Sequence, residues 1–185
     1  MKSKQYLVIG LGRFGASVAK TLSEMDQEVL AVDSDQEHVD AIAHYITQAI
    51  QMDVTDESLL AGLAVKHFDA AIVSIGTDMR ASVLVCLMLK EQGVPYLVAK
   101  ANDDLHAKVL RKIGVDRVIF PERDMGARLA RSIITPNVLD LMNLSNDYQI
   151  LDIRLPQKWA GQTLLGLNVR QKYGVNVLAI HRGER

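Results

Sequence analysis

The stretch from Tyr6 to Gly15, Tyr-Leu-Val-Ile-Gly-Leu-Gly-Arg-Phe-Gly, constrains the fold more than any other part of the chain. An apolar run breaks into glycines at the spacing G-x-G-x-x-G and then continues as a helical pattern, which describes a strand, a tight turn and a helix. Gly10 permits the turn, Gly12 lets the backbone approach a pyrophosphate, and Gly15 lets the helix pack closely on the strand. The helix opening there points unpaired N–H groups and the positive end of its dipole at an anion. A second apolar strand, residues 28–32, ends at Asp33. An acidic side chain about twenty residues beyond the glycines accepts hydrogen bonds from a ribose 2′-OH. Asp33-Ser34-Asp35 is also helix-cap composition, and a strand-end carboxylate can lie beside both a helix start and a ribose.

Further along, apolar runs at 45–52, 68–74, 95–99 and 116–120 read as strands, and 36–45, 81–89 and 104–113 as helices, with a short helix opening at Asp56. Strands alternating with helices of this length predict an α/β, Rossmann-like, doubly wound parallel sheet of six strands. Ligands of that fold bind beyond the carboxyl ends of the strands, where Asp33, Asp53, Gly76, Lys100 and Glu122 all fall. The helix at 81–89 is apolar on almost every side, although a helix lying on a sheet needs only one apolar face. Something else is expected to cover its far side.

From Asp124 the pattern changes. Met125, Leu129 and Ile133, with Ala130 and Ile134, form an apolar stripe after the six-stranded sheet is complete. This helix is expected to end at Thr135-Pro136, with Val138, Leu139, Leu141, Met142 and Leu144 adding apolar surface in a connector. Such an arm is expected to pack on another subunit. A tail of strand (148–155), helix (164–172) and strand (175–180) reads as the first half of a small α+β lobe, cut short. The expected divisions are a nucleotide-binding domain at 1–121, a helix and linker at 122–144, and a partial lobe at 145–185.

Composition narrows the function. A net charge of −1 gives no electrostatic footprint for nucleic acid, and the single cysteine, Cys86, excludes a disulfide framework and suits a reducing cytosol. Neither a secretory signal nor a bilayer-spanning apolar run is expected, so a role at a membrane would run through a partner. The histidines (38, 44, 67, 106, 181) sit in no motif and read as surface or interface residues; Cys86 reads as core. The Lys-Ser/Thr pairing of a Walker loop is missing. These residues favour a binding module over an enzyme, and its ligand is an adenosine-bearing pyrophosphate: NAD, ATP, ADP or a relative. Arg13 inside the glycine turn can fork onto phosphate oxygens and separate a triphosphate from a diphosphate by roughly ten- to a hundredfold. The alternatives for Arg13 are a solvated loop charge, or a partner for Glu122 or for an acid of another subunit.

Taken together, Gly10-Leu-Gly-Arg-Phe-Gly15, Ala31-Val-Asp33, Asp53-Val-Thr-Asp56, Lys100-Ala101, Gly114-Val-Asp-Arg-Val-Ile119, Pro121-Glu122 and Asp124-Met-Gly126 resemble the RCK (KTN) domain of bacterial potassium-uptake regulatory subunits, KtrA/KtrC type. The resemblance is close to about residue 135 and looser beyond it. It implies a non-enzymatic switch: homodimers assembled into a homo-octameric ring, cytoplasmic and peripheral at the inner membrane face, under an integral-membrane potassium-translocating subunit. ATP would favour the active ring and ADP the inactive one. The alternatives are an NAD(H)-sensing Trk-type regulator and, further off, a small NAD-dependent oxidoreductase. Carried onto this chain, the resemblance has Gly10, Gly12 and Gly15 cradle the phosphates, Asp33 hold the ribose, Asp53 and Val54 lie by the adenine and Lys100 lie near the phosphates. Arg13 would reach the γ-phosphate. Glu122 would hold a divalent cation, Mg2+ or Ca2+, at a subunit interface. Phe14, Ser34, Ile75 and Gly76 complete the implied binding set. Cyclic di-AMP is implied only where a complete C-terminal lobe exists.

Overall fold

The computed structural model describes residues 3–134, 138–143 and 148–182. Its first compact unit runs to Asp124 and the second from Met125 onward, so the division falls inside a helix. The first unit holds β1 (Gln5–Ile9), α1 (Arg13–Glu24), β2 (Glu28–Asp33), α2 (Gln36–Ile42), β3 (Gln48–Gln51), α3 (Glu57–Ala61), β4 (Ala70–Val73), α4 (Met79–Glu91), β5 (Leu97–Lys100), α5 (Asp104–Ile113), β6 (Arg117–Ile119) and the start of α6 (Pro121–Ile134). Six parallel strands lie in the order β3-β2-β1-β4-β5-β6, the doubly wound sheet that the strand and helix alternation predicts.

Burial explains the order. Leu7, Val8 and Ile9 of β1 and all four residues of β4 are buried, as central strands covered on both faces must be. One face packs Leu7, Ile9, Val73 and Leu97 with Leu60 of α3, Leu89 of α4 and Leu110 of α5; the other packs Val8, Val29 and Ile72 with Ala19 of α1 and Ile42 of α2. Aspartates fasten the frame. Asp56, Asp78 and Asp103 cap α3, α4 and α5, and Asp116 accepts from the Leu97 N–H at 2.8 Å and from Lys90 Nζ at 3.1 Å.

Several elements depart from the sequence reading. The third strand is shorter than 45–52, because Tyr45 N–H turns back to the Ile42 carbonyl. The helix read at 81–89 spans α4, since Asp78 caps it two residues before Arg80. α6 starts at Pro121 and not at 124; proline fits the first helical position, where its missing N–H costs nothing, and Glu122 and Asp124 suit the dipole. His106, read as a surface or interface residue, is fully buried.

In the second unit the connector at 138–143 is itself a strand, β7 (Val138–Asn143), paired antiparallel with β8 (Gln149–Ile153). The helix read at 164–172 is two short pieces, α7 (Leu164–Leu167) and α8 (Val169–Tyr173), because Asn168 takes φ +48°. The strand read at 175–180 pairs with none of the described residues. Thr135, Pro136, Leu144 and residues 183–185 lie outside the described residues.

Candidate nucleotide-binding site

The carboxyl edge of the sheet is stitched loop to loop. Gly10 has φ +90°, which a side chain would resist, and its N–H bonds to the Val32 carbonyl at 2.8 Å. A Cβ on Gly15 would stand 1.8 Å from the Gly10 carbonyl oxygen, so that glycine is demanded by packing. Gly12 differs. Its φ is −60° and no atom lies within 4 Å of where its Cβ would be, so neither the backbone nor the protein around it explains the glycine. The open space stands at the N-cap of α1, where unpaired N–H groups face outward. What remains to explain Gly12 is the approach of something from outside.

Asp33 ends β2 with its side chain 11% exposed; Oδ2 accepts from Leu11 N–H at 2.5 Å and Oδ1 from Asp35 N–H at 2.9 Å. Two lone pairs of the carboxylate are therefore used to join the glycine turn to the start of α2, and the others can accept from a further donor. The N-cap of α2 is Asp35 and not Asp33. His38 Nδ1 lies 3.4 Å from Asp33 Oδ2. Ser34 is exposed beside it, its carbonyl accepting from Gln51 at the end of β3. Asp53 is exposed and folds onto Thr55, whose side chain and backbone donate to it and hold its carboxyl below the usual range. The Val54 side chain is buried in the core, so it does not face the edge.

Arg13 is the first residue of α1 and is exposed, and Phe14 and Ile75 are half-buried. Across the edge, Lys100 Nζ donates to Glu122 Oε1 at 2.6 Å, with the lysine side chain 14% exposed and the glutamate 68%. That bond, with help from the nearby Lys100 and Arg13 charges, holds the Glu122 carboxyl below its ordinary range. Arg13, Lys100 and Glu122 thus form one electrostatic group. As a metal ligand Glu122 stands without its own cluster: among the described residues no three His, Cys, Asp or Glu side chains could hold a metal ion, and Mg2+ or Ca2+ takes six or more oxygens. The described residues supply no such set around Glu122, whose carboxylate is paired with Lys100.

Three residues of the edge carry no motif in the sequence. Ser74 Oγ donates to the Gly10 carbonyl at 2.6 Å, Asn102 Nδ2 donates to the Gly76 carbonyl, and His106 Nδ1 accepts from Asn102 N–H at 3.4 Å. Burial holds His106 below its usual range, so the neutral ring can accept. The one cue to Ser74 and Asn102 is position, each following a strand. Cys86 is buried and its thiol is pushed up to about 12 by desolvation, which removes it as a nucleophile. A groove of about 460 Å³ lies at the opposite edge, lined by Lys4, Tyr6, Leu22, Asp69 and Tyr96 among others, and has no glycine turn.

The TrkA-N domain pattern matches residues 6–121, from β1 to the first residue of α6. The chain belongs to the TrkA-N family. Ktr system potassium uptake protein C of Bacillus subtilis (strain 168) is 47% identical over 181 residues, 98% of this chain and 82% of that protein. Ktr system potassium uptake protein A of the same organism is 45% identical over 100% of this chain and 83% of its own length. This TrkA-N protein is accordingly of the KtrA/KtrC type, as its motifs imply. Among solved structures, the GsuK channel bound to NAD superposes with a TM-score of 0.66 at 17% identity, over 94% of this chain and 32% of that one. GsuK bound to ADP gives 0.58 at 15%, over 91% and 51%. At those identities the likeness is one of fold. No helix among the described residues of this TrkA-N protein is long and apolar enough to cross a membrane.

Proposed function

We propose that this chain is a nucleotide-sensing regulatory subunit of a potassium-uptake system, responding to ATP against ADP and passing the response to a membrane potassium-translocating partner. The observation that carries the reading is the pairing of a glycine that nothing in the protein requires, Gly12, with a guanidinium at the next residue, at the start of α1. Backbone N–H groups at that helix start suit the inner phosphates, and Arg13 suits the outermost one. A nucleotide shifts a two-state assembly only by its difference in affinity for the two states, so a charge that touches only the γ-phosphate has the required selectivity. The same family relationship argues against catalysis, since Ktr proteins are named for potassium uptake.

Oligomerisation belongs to the same reading. α6 exposes Met125, Leu129 and Ile133 at 60%, 58% and 71%, and α4 exposes Leu84 and Leu87. Covering such side chains is worth roughly 1.5–3 kcal/mol each, which suits α6 and α4 to the two contacts of the homodimer and homo-octameric ring that the resemblance implies. The protein would then sit in the cytoplasm against its membrane partner. A divalent cation joins this scheme only if nucleotide oxygens and a second copy complete the ligands around Glu122.

NAD(H) is the second reading, because Asp33 at the end of β2 suits either ribose. A thermal-shift panel separates them: at a hundred times its Kd a ligand adds about 2.7 kcal/mol of stability. ATP and ADP should raise the unfolding midpoint by several degrees, with NAD and NADH well behind. The reverse order would replace the adenine nucleotides by the dinucleotide.

A further inference from the structure

Gly76, like Gly12, has no backbone reason to be glycine, since its φ lies outside the left-handed region. A Cβ there would stand 3.5 Å from Lys100 Nζ, 3.8 Å from Lys100 Cε and 3.7 Å from Asn102 Oδ1. The missing side chain leaves one side of the ammonium bare while Glu122 Oε1 holds it at 2.6 Å. The loop that keeps this side bare is itself clamped. Asn102 Nδ2 donates to the Gly76 carbonyl, and the Asn102 N–H donates to His106 Nδ1, whose ring is fully buried near the start of α5. The His106 backbone N–H donates to the capping Asp103 Oδ1 at 2.7 Å. The clamp therefore runs from a fixed point in the core, through one exposed amide, to the loop beside Lys100.

We propose that Asn102 is a positioning residue for the phosphate edge: by fixing Gly76 beside Lys100 it keeps the ammonium aimed between Glu122 and the phosphates of the bound nucleotide. The inference rests on the nucleotide reading above. Asn102 is exposed and truncation to alanine keeps its backbone bond to His106, so loss of the side chain should fall on binding more than on folding.

The test is a double-mutant cycle on the full chain, with ATP and ADP affinities measured by calorimetry for wild type, Asn102→Ala, Lys100→Ala and the double variant. Asn102→Ala should weaken both nucleotides about tenfold, while the unfolding midpoint of the ligand-free protein stays within about 2 °C. On the Lys100→Ala background the same change should have no further effect. Asn102→Asp, which keeps the shape but sets an acceptor against the Gly76 carbonyl, should be at least as weak as Asn102→Ala. Additive losses, or an Asn102→Ala protein that binds as wild type does, would overturn the positioning role alone. Wild-type protein that bound neither nucleotide would bring down the ligand reading and this inference with it.

Discussion

Gly12 and Gly15 are three residues apart in one motif, and packing demands only the second. Gly15→Ala drives a methyl group into the Gly10 carbonyl, 1.8 Å away, and neither backbone segment can move freely. It should destabilise the protein by at least about 2 kcal/mol, lowering the midpoint by roughly 4–8 °C. Gly12→Ala meets no atom within 4 Å and should leave stability within about 0.5 kcal/mol of wild type, yet weaken nucleotide binding more than about tenfold. Thermal unfolding and calorimetry on the two variants check both halves. Asp116 offers a separate check by pH. The Leu97 N–H, with the Lys90 ammonium, holds its carboxyl below the usual range. Its stabilisation is complete above the unfolded pKa, near 3.9, and is lost as pH falls through the lower native value. Asp116→Asn should therefore cost about 1 kcal/mol at pH 7, the side chain being a third exposed, and the gap to wild type should close in acid unfolding curves below about pH 4.

The elements divide by whether local chemistry or distant pairing decides them. α5 was legible from end to end, because Asp103 caps it and Gly114, at φ +95°, stops it. The parallel strands were legible because buried apolar runs alternate with helical patterns, although their ends drifted outward; the sequence does not show where a ladder partner runs out. Pro121 misled the reading of α6, since a proline after a strand resembles an exit when it is in fact the first helical residue. Asn168 broke a helix that its periodicity supported, and nothing short of its positive φ announces that. At residues 175–180 the alternation of a strand is present, but a strand exists only where another pairs with it. The candidate site shows the same unevenness. Gly10, Gly12, Gly15 and Asp33 carry a motif, whereas Ser74 and Asn102 act through side-chain bonds between loops 64 and 26 residues apart in sequence.

For the whole molecule, the family is settled by relatives of 47% and 45% identity over nearly the entire chain, and the remaining claims concern what binds and what assembles. The exposed stripe of α6 bears on assembly. Leu129→Glu with Ile133→Glu places two carboxylates on that stripe and should lower the mass measured by sedimentation from an oligomer toward a single chain, with the nucleotide edge intact. An unchanged mass would remove α6 from the interface. The most direct measurement is calorimetric titration of ATP and ADP into wild type and Arg13→Ala. Wild type should prefer ATP by roughly ten- to a hundredfold, and Arg13→Ala should lose most of that preference with its ADP affinity nearly unchanged. Equal losses for both nucleotides, or no preference in wild type, would contradict the claim that Arg13 reads the terminal phosphate.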